Sequence, residues 1–163
     1  MANKTLNNVT DKLDELAGKH PMINDVGSGH TTDIGTKREE GGRELVYPYL
    51  WYDYKDVRYV VTKNQRGIAY KLYTFQFMVM DKYTPNQINS KEVMSDTEGI
   101  LSDFIQKLVN DRSLKEFIIE EGTIAGTPVR DDEKDGVEGW LIPLAFKIPY
   151  SFCAKNLPFL NGN

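Results

Sequence analysis

One cysteine, Cys153, and two histidines, His20 and His30, are all the soft ligands in this chain of 163 residues. A lone thiol forms no internal disulfide, which suits a reducing compartment. No pair among the three has the spacing of a zinc site. Cys153 has no histidine near it in sequence and reads as a small apolar residue; a nucleophile would need the fold to carry His20 or His30 to it. There is no Gly-x-Ser-x-Gly elbow and no dinucleotide-binding glycine fingerprint. Gly29, Gly35, Thr36 and Lys37 miss the spacing of a phosphate loop. The acidic run Asp131, Asp132, Glu133 and Asp135 lacks the residue order of a calcium loop and reads as a solvated hairpin tip. The expectation is a chain with no catalytic residues, no metal ligands and no cofactor.

Long apolar runs are also missing. None approaches the ~20 residues of a membrane helix, and the stretch Met1–Thr5 lacks the apolar core of a signal peptide. Basic runs are absent too: 20 Lys+Arg stand against 24 Asp+Glu, for a net charge of −4. Proteins that grip nucleic acid usually carry a basic stripe, so no sequence-specific nucleic-acid binding is expected. What the chain does have is 40% apolar residues, including nine tyrosines, seven phenylalanines and two tryptophans. That is enough for one domain, 1–163, to fold without a staple. Tyrosine and tryptophan serve cores and protein interfaces alike.

Leu6, Val9, Leu13 and Leu16 recur at three- and four-residue steps and predict a helix over about 5–19, stopped at His20-Pro21. A glycine-rich polar loop is expected over 26–44. Strands are expected at 45–52 and 57–62. Asp53 and Asp56 would lie in the turn between them; a carboxylate pair for acid–base work is the other reading. A longer strand at 68–82 places Tyr73, Phe75, Phe77 and Val79 on one face and Leu72, Thr74, Gln76, Met78 and Met80 on the other. A helix at 89–110 buries Val93, Thr97, Ile100, Leu101, Phe104, Ile105 and Leu108. Short strand is expected within 117–125, a charged tip at 130–136, and a last strand at 137–150. Pro143 gives that last strand an unpaired edge. The fold class is α+β: a mostly antiparallel β-sheet with two main amphipathic helices packed on one face.

Three segments carry a resemblance. They are Lys4-Thr5-Leu6-Asn7-Asn8-Val9 through His20-Pro21-Met22-Ile23-Asn24; Met94-Ser95-Asp96-Thr97-Glu98-Gly99-Ile100-Leu101; and Val137-Glu138-Gly139-Trp140 through Ile148-Pro149-Tyr150-Ser151-Phe152-Cys153 to Leu157-Pro158. Their order and spacing resemble short structural proteins of tailed bacteriophages of Bacteroidetes hosts, including crAss-like phages. In size and element order the chain is also similar to tail-terminator, tail-completion and head–tail joining proteins, a likeness at the level of fold.

The resemblance implies a structural virion subunit, made in the bacterial cytoplasm. Copies would form a homo-oligomeric ring by head-to-tail contacts. Portal or adaptor proteins would lie on one side and tail proteins on the other, with DNA only passing through the channel. The expected inter-subunit contacts are Lys37, Arg38, Glu39 and Arg43 in the glycine-rich loop, and Arg130, Asp131, Asp132 and Glu133 in the charged tip. The competing readings are a tail-hub or minor capsid component, a host protein-binding module, and a small enzyme using scattered carboxylates.

Overall fold

Side chains alternate between the two faces of a strand, and the fold is organised around two strands that exploit this over their whole length. Ala69–Lys82 pairs with Val137–Tyr150 in one unbroken antiparallel register, from Ala69 opposite Tyr150 to Lys82 opposite Val137. The computed structural model describes residues 5–30, 34, 45–63, 65, 67–83, 89–110, 118–119, 124–131 and 136–151, setting aside the side chains of 55, 56, 118 and 119. The elements in order are α1 (Leu6–Ala17), β1 (Asp25–Ser28), β2 (Tyr49–Lys63), β3 (Ala69–Lys82), α2 (Ser90–Asn110), β4 (Ile118–Ile119), β5 (Thr127–Asp131) and β6 (Val137–Tyr150). The sheet has six strands in the order β1-β2-β3-β6-β4, and β5 pairs with β6 beside β4. Only β1 and β2 run parallel; the other described pairs are antiparallel. This is the expected α+β class.

Both helices pack on one face of the sheet. Val9, Leu13, Leu16 and Ala17 of α1 meet Ile100, Leu101, Phe104 and Leu108 of α2 over Tyr73, Phe75, Phe77 and Val79 of β3. Phe77 lies at the centre, its ring centroid 5.7 Å from Phe104, 5.8 Å from Tyr52 and 6.1 Å from Phe146. Each such side chain contributes roughly 1.5–3 kcal/mol by leaving water. Asn8 caps α1 by accepting a hydrogen bond from the Thr5 backbone N–H at 2.9 Å, the return bond of a capping box. Within α2, buried Thr97 donates to the Val93 carbonyl at 2.8 Å, so its hydroxyl is satisfied inside the helix. Trp140 Nε1 donates to the Met94 carbonyl at 2.9 Å and pins α2 to β6. The opposite face of the sheet holds a smaller apolar cluster of Tyr49, Trp51, Met78, Met80 and Val137.

Several boundaries differ from the sequence reading. The expected loop 26–44 begins as a strand, because Val26 to Ser28 pair with Leu50 to Tyr52; its short, glycine-containing sequence carries no strand pattern. The expected strands 45–52 and 57–62 are one strand, β2, which begins only at Tyr49 and leaves 45–48 outside it, and the turn placed at Asp53 and Asp56 does not exist. Asp53 is in the strand and is buried. Within 117–125 only Ile118–Ile119 is strand among the described residues, and β5, Thr127–Asp131, went unpredicted because its sequence, Thr-Pro-Val-Arg-Asp, has little apolar alternation. The reading of Pro143 agrees with the ladder. On the outer edge of β6, pairing with β5 stops at Leu141 and pairing with β4 resumes at Phe146.

Two glycines make opposite predictions for stability. A Cβ on Gly139 would overlap the backbone carbonyl of Val79 on the adjacent strand, whereas Gly99 faces open space on α2. Gly139→Ala is expected to cost about 3 kcal/mol, since a backbone must give way. Gly99→Ala is expected to add about 1 kcal/mol of helix propensity. Urea denaturation midpoints of the two variants against the native chain check both signs.

Candidate assembly surface

The β2–β3 pair contains the structure's main irregularity. Asp53 lies opposite Gln76 and Arg58 opposite Thr74, so residues 54–57 of β2 face Phe75 alone. Three surplus residues are an odd number, and an odd surplus swaps the two faces of the strand. Before the bulge, Leu50 and Tyr52 face the helices; beyond it, Tyr59 does, opposite Tyr73 with ring centroids 5.9 Å apart. The bulge itself is held by Tyr54 and Val57, which pack partly against the main core.

Beyond the bulge, β2 is an outer strand. Its pairing with β1 ends at Tyr52, and among the described residues no strand lies beside Arg58–Thr62. Here the chain exposes apolar area: Tyr59 is 61% exposed, Val60 49% and Val61 38%. Ile68, across the hairpin, is also exposed. Soluble proteins blunt such edges with charge, proline or a bulge. Among the described residues this arm carries charge at its ends and root, in Arg58, Lys63 and Lys71. The Lys71 ammonium lies 6.0 Å from the centroid of Tyr59 and 5.2 Å from that of Tyr150, the distance range of a cation–π contact.

The other end of the sheet is acidic. Asp81 of β3, Glu138 of β6 and Arg130 of β5 form one row across three strands. Glu138 is buried, and its Oε1 has no hydrogen-bond partner among the described residues. Arg130 lies over Tyr83, its Cζ 4.6 Å from the ring centroid, and its Nη2 donates to the Tyr83 hydroxyl at 3.1 Å. Burial raises the Asp81 carboxyl, the nearby charge of Asp96 raises it further, and a hydrogen bond from the Lys82 backbone N–H partly offsets both.

Two concavities lie on the helix side. A groove of about 450 Å³ between α2 and β6 is lined mainly by Leu101, Ile105, Ile124, Trp140 and Ile142. A polar cleft of about 480 Å³ at α1 and β1 holds Asp14, Asn24, Asp25 and Ser28. There Tyr52 donates to Asp14 at 2.5 Å, and burial together with that carboxylate raises the tyrosine. His20 Nε2 lies 3.7 Å from Asp103 Oδ2, and its Nδ1 accepts from the Met22 backbone N–H. Cys153 lies outside the described residues. Among the described residues, no group of three His, Cys, Asp or Glu side chains is placed to hold a metal ion, and no helix is long and apolar enough to cross a membrane.

Of the contact residues expected from sequence, Arg130 and Asp131 fall on β5 at the sheet's far edge. Lys37, Arg38, Glu39, Arg43, Asp132 and Glu133 lie outside the described residues. The exposed arm was missed. A signal was present in the aromatic and β-branched run Tyr59-Val60-Val61-Thr62, but composition alone does not say whether a strand is inner or outer. No family model matches this chain, and no curated protein does either.

The Asp81 environment predicts a pH effect. Its folded value stands above the ordinary 3.8, so ionisation opposes folding. The stability this residue allows is greatest below the unfolded value and falls as pH rises through the folded one. Asp81→Asn can keep the bond from Lys82 and has no charge to desolvate. The variant is expected to be more stable than the native chain at pH 7 and equal to it near pH 3, as thermal melts at the two pH values would show.

Proposed function

We propose that this chain is a structural subunit of a bacteriophage virion, forming a ring in the head–tail connector or at the tail end. The observation that carries the reading is the β2–β3 arm. An outer strand with three consecutive exposed residues of high β-propensity, Tyr59, Val60 and Val61, is a site for another chain to pair with. Strand addition of this kind draws affinity from backbone hydrogen bonds and specificity from alternate side chains. Among the described residues, α1 and α2 cover one face of the sheet, a smaller cluster lies on the other, and no strand lies beside Arg58–Thr62.

The reading also rests on the resemblance in the first helix, the second helix and the last strand to phage structural proteins. A subunit with two different edges suits a closed ring, where each copy offers one surface and receives another. Its neighbours would be portal or adaptor proteins and tail proteins, with DNA passing through without sequence-specific contact.

Val60→Lys places a charge in the middle of the arm without touching the core. The native chain at rising concentration is expected to reach a mass that is a multiple of 18.6 kDa. The variant is expected to associate at least roughly tenfold more weakly, as burial of an unpaired charge at an interface centre requires. Light scattering on both proteins decides it. A native chain that stays at the single-copy mass at every concentration removes the ring.

A further inference from the structure

We infer that the arm of one copy pairs with β5 of the next, so that the sheet runs continuously from subunit to subunit. This rests on the ring reading above and names the two surfaces that would close it.

Strand directions permit it. β2 and β6 run one way, β3 and β5 the other, because each successive pair in the series β2-β3-β6-β5 is antiparallel. A second copy in the same orientation therefore brings its β2 beside the first copy's β5 as an antiparallel neighbour, with no inversion. The contact is head-to-tail and leaves the same two edges open at each end.

Side-chain faces and charges select one register. On the arm, Arg58, Val60 and Thr62 share the face opposite the helices, and Tyr59 and Val61 share the helix face. On β5, Thr127, Val129 and Asp131 lie on the face opposite the helices, and Pro128 and Arg130 on the helix face. Placing Val60 opposite Val129 aligns all five positions by face. Arg58 then meets Asp131, Tyr59 meets Arg130, Val61 meets Pro128, and Thr62 meets Thr127. These are an opposite-charge pair, a cation–π pair, two apolar pairs counting Val60 with Val129, and a threonine pair, all of which favour adjacent strands. Pro128 has no N–H and removes at most one ladder bond.

Pairing the arm with itself is worse. Centred on Val60, antiparallel self-pairing sets Arg58 opposite Thr62 and Tyr59 opposite Val61, so Arg58 gains no acidic partner and Tyr59 no new cation. β4, the other strand on the far edge, is two residues long and offers little ladder. Pairing with β5 also sets the ring's geometry. Val60 is level with Leu72 on β3, and Val129, through Gly139, is level with Met80. Successive copies are thus displaced along the strands by eight residues, about 26 Å, and the strands lie oblique to the ring axis, as in a closed barrel.

The test uses two full-length chains, both carrying Cys153→Ser. One adds Val60→Cys and the other Val129→Cys. Facing residues on neighbouring strands have Cβ atoms close enough for a disulfide. With oxidised glutathione, the mixture is expected to yield a 60–129 disulfide at least about tenfold faster than either protein alone, since pairing raises the effective thiol concentration. Arg58→Asp and Asp131→Arg are each expected to weaken association roughly tenfold, and the double exchange to restore it. Oligomers by light scattering without the mixed disulfide, or a preferred 60–60 disulfide, overturn the β5 pairing and leave the ring standing. A chain that never exceeds the single-copy mass overturns both.

Discussion

The ladder between β3 and β6 is the constraint that the other elements obey. It is continuous over both 14-residue strands, so it gives the sheet two faces of fixed identity along its length. Tyr73, Phe75, Phe77 and Val79 on β3 face the same way as Ile142, Leu144, Phe146 and Ile148 on β6. A shift by one residue would turn both sets to the other side. With that face apolar throughout, two amphipathic helices have one place to go. Gly139 is part of the same constraint, for the backbone of Val79 comes so close that no side chain fits there.

The bulge in β2 follows from a conflict with this ladder. Tyr49 to Tyr52 must serve both faces, with Trp51 in the smaller cluster and Tyr52 under α1. Farther along, Tyr59 is 61% exposed although it lies on the helix face. Four residues opposite one absorb the mismatch and swap the strand's faces. Tyr59 then lies beside Tyr73, its ring tilted against it, as an extension of the aromatic face. The arm is thus a consequence of a strand that outlasts the layer covering it, and its exposure has the same cause.

Periodicity made the long elements legible. Both helices and the strands at 68–82 and 137–150 emerged near their observed bounds because their apolar residues repeat over many turns or pleats. The short strands did not. Asp25-Val26-Gly27-Ser28 is a strand only because β2 lies beside it, and Thr127–Asp131 only because β6 does. Asp53 was misread for a related reason. Two aspartates around Tyr-Lys have the composition of a turn, while burial of Asp53 in a bulged strand depends on partners distant in sequence. For the surface, charge was legible at Arg130 and Asp131, but the arm was not. Whether Tyr59, Val60 and Val61 are inner or outer is decided by which strand sits next to them.

The outer strands are protected unequally, and the difference bears on assembly. Among the described residues, the stretch of β6 between β5 and β4 has no outer partner, and it contains Pro143, which has no N–H to offer a neighbour. β5 carries Pro128 within five residues. From Arg58 to Thr62 the arm has neither proline nor glycine, and no further bulge interrupts its register with β3. An edge this regular and this apolar is a liability in a chain meant to stay alone. Under the proposed assembly it serves instead as a template, and Arg58 at its start favours an edge that carries an acidic residue. Self-pairing about Val60 would set Arg58 opposite Thr62, whereas the proposed receiving strand offers Asp131. Under the proposed pairing, the Arg58–Asp131 pair is what distinguishes the receiving edge from a second arm.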